Sequence, residues 1–397
     1  MVLIMIIKQV YTTVLSFPTA HYISGWRPIT RTFHLVIFLL TNDDVVGIGE
    51  GTPYWSNIVD DYIKTLSLAK KIQGASLEDA LDILRFSEYS EFRRREQVNY
   101  GAFLALESAL IHALAQTKKL KYEAEVLGGV YRTKIPIAYT IFLGHPAIMS
   151  CRLEEAIKSG YKHVKFKIPC NLEELRRVVE SLHSVRKQYS GEETVLRADA
   201  NECFPTFEKA EKALSIMERY GVNIVEQPMP RDRLRDIAEL RKRFYPAIEI
   251  MLDESLRKPS DVELFAQMEA ADIVNFHPSK LGCLSITREA ILKTQEMGMK
   301  ANIGSALMTD IGLFHYLSLA SSIPRLDYPL EEIGLSNFYG YSILTSPPKI
   351  TEGYFSLQDI NVTSLDFYVA KKFKIEKTVF FKEQVAHIVR KLLDTVM

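Results

Sequence analysis

The hydrophobic pattern of the first 50 residues predicts an antiparallel sheet. Two runs rich in β-branched and aromatic residues, Val10–Phe17 and Phe33–Leu40, are typical of strands. The polar triplet at 42–44 is a turn signal, and another apolar run, Val45–Ile48, follows it. This order of runs and turn indicates a β-meander.

From about Ile58 to Gln116 the spacing of apolar residues becomes helical. Small and apolar residues surround the segment 101–115 on every side, which predicts a helix that is buried all round. We interpret residues 1–130 as one α+β module.

From Ile135 the pattern alternates between short apolar runs and amphipathic stretches such as Leu172–Gln188 and Phe207–Tyr220. This alternation predicts βα units and a parallel sheet. Seven or more units in series favour a closed α/β barrel over residues 131–345. The tail, 346–397, has strand-like and helical pieces that we expect to pack on the first module. The apolar runs are Pro136–Thr140, His163–Ile168, Thr194–Ala198, Asn223–Val225, Glu249–Leu252, Asp272–Phe276 and Lys300–Ile303.

The composition is that of a soluble globular protein, with 47% of the 397 residues hydrophobic and 25% charged. Lys plus Arg equals Asp plus Glu at 49 each, so net charge provides no general attraction to nucleic acid or to an anionic membrane. No apolar segment reaches the roughly 20 residues that cross a bilayer. Lys8 interrupts the apolar start, Met1–Ile7, which we interpret as a buried strand.

The four cysteines lie far apart in sequence and form no Cys-x-x-Cys pair. They therefore indicate neither a zinc site nor a disulfide framework. We expect reduced thiols in a cytoplasmic protein. The cysteines are Cys151, Cys170, Cys203 and Cys283.

Three acidic residues each follow an apolar run, at equal spacing. Asp199, Glu226 and Asp253 are 27 residues apart (226 − 199 and 253 − 226), close to the length of one βα unit, roughly 30 residues. They should lie at one level, at the C-terminal ends of three consecutive strands, where barrel active sites are built. Converging carboxylates repel one another unless a cation lies between them, and oxygen ligands suit Mg²⁺ or Mn²⁺. The alternative is that each acid only caps the following helix, but three acids in register favour the metal site.

One unit upstream, Lys165 and Lys167 flank Phe166, and strand alternation puts both lysines on one side. Lysines that point into a barrel are costly unless a function or an ion pair holds them. A desolvated lysine beside cationic neighbours can act as a base near neutral pH. A solvated lysine pair on an edge strand and a Schiff-base aldolase are the alternatives, and the carboxylate series argues against both.

Taken together, these motifs resemble the enolase superfamily, and within it the muconate-lactonizing-enzyme subgroup. That subgroup includes cycloisomerases, dipeptide epimerases, o-succinylbenzoate synthases and N-acylamino acid racemases. The resemblance spans nearly the whole chain and implies a modified (β/α)7β barrel, with an α+β capping domain made by the N-terminal module and the C-terminal tail. It is carried by Asp-Asp-Val-Val-Gly-Ile-Gly-Glu at 43–50, Val-Leu-Gly-Gly-Val-Tyr-Arg at 126–132, Lys-Phe-Lys at 165–167, Asp-Ala-Asn at 199–201, Glu-Gln-Pro at 226–228 and Asp-Glu-Ser at 253–255.

The resemblance implies a role for each residue of the set. Asp199, Glu226 and Asp253 would bind Mg²⁺, Lys167 would remove the proton from the carbon next to the substrate carboxylate, and Lys165 would support that carboxylate. The metal would stabilise the resulting enediolate, since a carbon acid beside a carboxylate is very weak.

The capping domain is implied to supply specificity loops, here 17–26 and 51–56. Trp26 and Tyr54 are candidate substrate contacts, and ordinary surface aromatics are the alternative interpretation. The other aromatic candidates are His21, Tyr22 and Trp55.

The sixth barrel strand departs from the family pattern, which has a second catalytic lysine followed by two glycines. His277 stands at the lysine position, and Cys283 replaces the second glycine. A histidine can be the second acid/base, because its unperturbed pKa is about 6.5, or only a hydrogen-bonding group. Lys280 becomes a substrate contact if it swings in, whereas a solvated loop lysine is the simpler interpretation.

The remaining candidates lie beside the other motifs. Many relatives carry a glutamate at the position of Met308, and Asp310 follows two residues later, so both are candidate substrate contacts. Asn201 is a further candidate contact, and together with Glu254 it could support the metal ligands.

The sequence thus predicts a Mg²⁺-dependent lyase or isomerase acting on a small carboxylate. With Lys167 as the one secure base, syn β-elimination or cycloisomerisation is preferred. Racemisation or epimerisation of an N-acyl amino acid or dipeptide requires His277 on the second face, and a non-catalytic carboxylate-binding relative is a third possibility. By analogy with the family, we expect a homo-oligomer.

Overall fold

The N-terminal sheet is antiparallel, with strands β1 (Ile7–Ser24), β2 (Arg27–Thr41) and β3 (Val46–Gly51) in that order. The predicted meander is confirmed, whereas most of the predicted strand at Met1–Ile7 lies outside the described residues. The computed structural model describes residues 5–24, 27–54, 56–90, 100–190, 193–331, 334, 336, 340–359, 365–366 and 372, and at 20–24, 27–30 and 87 only the backbone.

Helices cover this sheet. They are α1 (Ile58–Ile72), α2 (Leu77–Asp82), a π-helical turn (Ile83–Glu88) and α3 (Tyr100–Thr117). As predicted, α3 is buried on every side, from Tyr100 to Ala115. It packs so closely on β3 that a Cβ at Gly49 would collide with the carbonyl oxygen of Ala105, so this position requires glycine. A 3-10 turn at Glu123–Glu125 follows.

Eight parallel strands form the second sheet: β4 (Lys134–Ile141), β5 (His163–Lys167), β6 (Val195–Asp199), β7 (Ile224–Glu226), β8 (Glu249–Leu252), β9 (Ile273–Phe276), β10 (Lys300–Ile303) and β11 (Leu330–Glu331). Strands β4 to β10 pair in chain order, and β11 pairs with β4. The Cα atoms of β10 and β11 come within 8 Å of each other, so the sheet curls back on itself. The predicted α/β barrel is confirmed.

The connecting helices are α4 (Pro146–Lys158), α5 (Leu172–Tyr189), α6 (Phe207–Arg219), α7 (Leu234–Phe244), α8 (Asp261–Gln267), α9 (Pro278–Leu281), α10 (Leu284–Glu296) and α11 (Asp310–Ser322). Helix α5 illustrates why they form: Asn171 caps its first turn, and Leu175, Val178, Val179 and Leu182 bury one face at helical spacing.

Glu50, at the end of β3, joins the N-terminal domain to the barrel. Its carboxylate accepts hydrogen bonds from the backbone N–H groups of Thr309 (3.0 Å) and Gly312 (2.8 Å), and it lies 2.8 Å from Nδ1 of His34. Burial opposes the charge on Glu50, yet the contacts with His34 and Thr309 bring its pKa below the ordinary value. This carboxylate at the start of α11 fixes the capping sheet beside the loop after β10.

Two of the four cysteines are not reduced. Cys170 and Cys203 form a disulfide, with their Cα atoms 5.2 Å apart, so the expectation of reduced thiols is wrong for this pair. The two residues follow β5 and β6, which are neighbours in the sheet, and a separation of 33 residues therefore becomes a short distance. Cys151 is exposed and Cys283 is buried, and both are free thiols.

The described part of the tail contains β12 (Tyr354–Ser356), which pairs antiparallel with β4 of the barrel. The packing of the rest of 346–397 on the first domain stays a prediction, because most of it lies outside the described residues. Within the described ranges, no helix has the length and apolarity needed to cross a membrane.

Candidate active site

Strand register brings the predicted residues to one level. Lys167 pairs with Asp199 across β5 and β6, and Asp199 pairs with Glu226 across β6 and β7. On β8 the partner of Glu226 is Met251, so Asp253, two residues later, lies on the same side of the sheet. The predicted placement of three acids at the ends of three consecutive strands is confirmed.

These side chains open onto one cavity of about 340 Å³ between the barrel and the N-terminal domain. A volume of this size suits a small molecule. The barrel contributes most of the charged and polar groups, and the N-terminal domain contributes residues of β2 and of the segment after β3. The lining residues are Lys165, Lys167, Asp199, Asn201, Glu226, Asp253, Glu254, His277 and Ser305–Leu307 from the barrel, with Arg31–Phe33 and Thr52–Tyr54 from the N-terminal domain.

Lys167 is held by two oxygen atoms. Its Nζ lies 2.6 Å from Oδ2 of Asp199 and donates to Oδ1 of Asn201 at 2.7 Å. Asn201 has a left-handed backbone, with φ of 42°, which asparagine tolerates better than most residues. Its Nδ2 donates to Oε1 of Glu254 at 2.9 Å. Asn201 thus links the amine of Lys167 to a further acid of the cavity.

Lys165 faces the same interior, as alternation predicts, and there it meets two residues that sequence reasoning missed. Its Nζ forms an ion pair with Glu331 on β11 and lies 3.4 Å from Oδ2 of Asp199. Arg197 on β6 pairs with Glu331 at 3.0 Å and with Glu226 at 3.3 Å. All of these side chains are buried. Arg197 could have been found, because it precedes Asp199 by two residues and so shares its side.

Burial is the largest influence on the pKa values of Lys165, Asp199 and Glu226. It lowers the pKa of Lys165 to about 8, against the attraction of Glu226 and Asp199 and with help from the neighbouring Lys167. For Asp199, burial acts in the other direction, but Lys167 and Lys165 together bring its pKa below the ordinary value. Glu226 differs: burial and the charge of Asp199 raise its pKa.

Asp253 has two basic partners from the sixth barrel strand and the turn after it. His277 Nε2 lies 3.0 Å from Oδ1 of Asp253, and Lys280 Nζ pairs with the same oxygen and donates to the backbone carbonyl at 2.9 Å. The Lys280 ammonium also lies 4.8 Å from the ring centroid of Tyr54. Lys280 is fully buried, so its interpretation as a solvated loop lysine is wrong. Helix α9 turns it inward under the capping domain.

In this cluster Asp253 is charged at neutral pH, whereas His277 is neutral. Although burial opposes ionisation, Lys280 and His277 hold the pKa of Asp253 well below its usual range. Burial lowers the pKa of His277 to about 4, despite the attraction of Asp253. At neutral pH, His277 is therefore a neutral ring, and its centroid lies 5.4 Å from that of the Tyr54 ring, with the two planes tilted by 49°.

Gln227 orients Asp253 and was also missed. Its Oε1 accepts hydrogen bonds from the backbone N–H groups of Asp253 (3.0 Å) and Ser255 (3.1 Å). Beside Asp253, burial and the charges of Asp253 and Asp199 raise the pKa of Glu254 to about 8. Glu254 therefore carries a proton at neutral pH, which limits the negative charge that the cavity holds.

Three predicted substrate contacts are corrected. Met308, Asp310 and Lys280 are buried and are not among the described residues that line the cavity. Asp310 is the first residue of α11, and its side chain points toward the segment at 342–343. It accepts hydrogen bonds there from Ser342 Oγ (2.6 Å) and the Ile343 N–H (3.2 Å).

The capping-domain predictions have mixed outcomes. Tyr54 lines the cavity as predicted. Trp26 and Trp55 lie outside the described residues, as do the side chains of His21 and Tyr22.

The three acids fit a hard divalent cation by their chemistry. All their ligand atoms are oxygen. Oε2 of Glu226 is buried and accepts no hydrogen bond from the described residues, and its ion-pair contact there is with Arg197 Nε at 3.3 Å. Asn275 Nδ2 donates to the other oxygen of Glu226 at 2.8 Å, which fixes that carboxylate as outer partners of metal ligands do. In the arrangement described, the acids contact ammonium groups, and no three His, Cys, Asp or Glu side chains of the described ranges are grouped for metal binding.

Comparison with known proteins identifies the class. Residues 149–361, more than half of the chain, match the family model described as "Enolase C-terminal domain-like". The chain belongs to this family, and it is an enzyme of the enolase superfamily.

Individual relatives agree with this membership. The chain is 26% identical to chloromuconate cycloisomerase CbnB of Cupriavidus necator over 346 residues, covering 83% of this chain and 88% of that protein. Its fold matches a muconate lactonizing enzyme of Pseudomonas fluorescens complexed with muconolactone, with a TM-score of 0.80 and 20% identity over 94% of this chain and 100% of that one. The L-Ala-D/L-Glu epimerase of Bacillus subtilis gives a TM-score of 0.77 at 20% identity, covering 89% and 96%.

Proposed function

We propose that the protein removes the proton next to the carboxylate of a small substrate, with Lys167 as the base and a divalent cation, Mg²⁺ or Mn²⁺, held by Asp199, Glu226 and Asp253. The observation that carries this proposal is that the amine and the three acids line one cavity at the C-terminal ends of four consecutive strands. The bound cation would supply fixed positive charge facing the substrate carboxylate.

The residues of the chain have separate tasks in this proposal. Asp199 and Asn201 hold the amine of Lys167 at 2.6 and 2.7 Å, so its nitrogen is oriented before the substrate arrives. Lys165 lies beside it with a pKa lowered to about 8 by burial, and it adds a second positive charge next to the carboxylate. Tyr54 and the neighbouring strand ends cover the cavity and limit access of water.

Outcomes that need one base are favoured, namely syn elimination or cycloisomerisation. His277 directly follows β9, which in the barrel order is four strands from β5 and Lys167, and this puts His277 across the cavity. Racemisation or epimerisation by this residue is therefore the second candidate. Because burial lowers the pKa of His277 to about 4, its ring is uncharged at neutral pH and is a poor proton donor, and this favours the one-base reaction.

The experiment is a screen of carboxylates in heavy water with Mg²⁺, using dipeptides, N-acyl amino acids, sugar acids and succinylbenzoate precursors. We expect deuterium at the α-carbon, or loss of that proton with formation of product, for one class. Lys167→Ala should abolish the reaction, whereas Lys187→Ala, on the outer helix α5, should not change it. Binding of carboxylates without exchange contradicts the proposal. Exchange of both enantiomers that requires His277 supports the epimerase instead.

A further inference from the structure

The Cys170–Cys203 disulfide joins the loop that follows Lys167, the last residue of β5, to the loop that carries its partner Asn201. Cys170 follows Lys167 by three residues, and Cys203 follows Asn201 by two. The hydrogen bond of 2.7 Å from Lys167 Nζ to Asn201 Oδ1 connects the end of β5 to the loop after β6. The covalent bond and this polar contact of the cavity therefore bridge the same two neighbouring segments, those after β5 and β6.

The loop after β6 has a backbone that needs restraint. Asn201 and the next residue, Glu202, both have left-handed backbones, with φ of 42° and 65°, and such conformations cost on the order of 1 kcal/mol or more each for residues other than glycine. Toward β7 this loop is held by the Glu202–Arg231 ion pair at 2.6 Å and by the bond from Glu202 N to Gln227 O at 2.9 Å. Toward β5 the disulfide provides a covalent restraint.

We infer that this disulfide is a positioning device for Lys167 and that its reduction lowers turnover. The inference rests on the proposed role of Lys167. A thiolate of a small dithiol attacks one sulfur, the other cysteine leaves as a thiolate, and the second thiol of the reagent completes the exchange. The reagent becomes a disulfide and the protein gains two thiols. The loops can then separate, and Asn201 no longer holds the amine in place.

The test compares the native protein before and after reduction under non-denaturing conditions. Titration of denatured samples should find two thiols of the four cysteines without reductant and four after reduction. We expect reduction to lower kcat for α-proton removal about tenfold or more, since small misplacements of a catalytic group have effects of this order. The change in KM should be smaller, and reoxidation should restore kcat.

Variants provide the controls. Cys170→Ser/Cys203→Ser should have the low kcat and no response to reductant, whereas Cys151→Ser, at the exposed free thiol, should behave as the parent protein. If the double variant fails to fold, the kcat of the reduced native protein still tests the inference. A purely structural disulfide would change the melting temperature and leave kcat and its pH profile unchanged, and that result overturns the inference.

Hydrogen–deuterium exchange of the peptides around 167–170 and 200–204 separates this inference from the proposed function. Faster amide exchange after reduction is expected because the disulfide restrains both loops. If this occurs but no carboxylate reacts, the proposed function fails and the effect on turnover fails with it, whereas the restraint of the loops by the disulfide stands. Unchanged amide exchange, or four thiols without any reductant, overturns the inference.

Discussion

Lys280 donates a hydrogen bond from Nζ to the backbone carbonyl oxygen of Asp253 at 2.9 Å and forms an ion pair with the carboxylate of the same residue. Asp253 is the third proposed metal ligand, so a lysine from outside the strand compensates its buried charge. Together with His277, Lys280 surrounds the buried Asp253 carboxylate with two basic side chains.

Removing this lysine should destabilise the protein strongly. Lys280→Met leaves the buried Asp253 carboxylate with His277 as its remaining basic partner, and breaking a buried ion pair costs about 3–5 kcal/mol. Unfolding in urea measures this loss. The control Lys293→Met, at an exposed position on α10, should change the free energy of unfolding by less than about 0.5 kcal/mol. Equal stability of the two variants would show that the Lys280 pair is unimportant.

Glu331 should be needed for the reaction although it does not line the cavity. Glu331→Gln keeps the size of the side chain but removes the anion that pairs with Lys165 and Arg197. We expect kcat/KM for α-proton removal to fall about a hundredfold, because Lys165 loses the partner that orients it. Glu249→Gln serves as the matched control, because Glu249 pairs with Lys300 at the start of β8, the end away from the cavity. Its kcat/KM should stay within about twofold of that of the parent protein.

Stability should fall on mild acidification because of His112. Its Nδ1 accepts a hydrogen bond from the backbone N–H of Ile48 at 2.9 Å, and burial lowers its pKa to about 4, against the opposing charge of Glu123. The unfolded chain, with a histidine pKa of about 6.5, binds a proton more readily. The part of the free energy of unfolding that depends on a neutral His112 is therefore complete above pH 6.5. It is lost as the pH falls from 6.5 toward 4, by about 2 kcal/mol between pH 7 and pH 5.

Urea unfolding at these two pH values measures that change. His112→Asn keeps an acceptor for the Ile48 N–H but does not titrate, so its free energy of unfolding should depend less on pH. The same pH dependence in parent and variant would rule out His112 as the cause.

Periodicity predicted the parts of the site that lie on regular strands. The spacing of 27 residues predicted the level of Asp199, Glu226 and Asp253, because βα units repeat evenly, and alternation predicted the shared side of Lys165 and Lys167. Glu331 was missed because β11 has only two residues and gives no periodic signal.

The errors concern residues whose surroundings come from distant parts of the chain. Lys280 is buried against Asp253 of the preceding barrel strand's end and Tyr54 of the capping domain, and its own neighbours in sequence reveal neither contact. The partner of Asp310 comes from 342–343, beyond the last barrel strand. The Cys170–Cys203 bond depends on the adjacency of two loops, which becomes visible only when the barrel closes.

Binding of Mn²⁺ tests the proposed cation site most directly, and electron paramagnetic resonance of the free ion measures it. We expect one ion per chain, with loss of that binding in Glu226→Gln and retention in Lys167→Met, because the lysine carries no ligand oxygen. Absence of Mn²⁺ binding, or binding that survives Glu226→Gln, would contradict a cation held by the acids of three neighbouring strands.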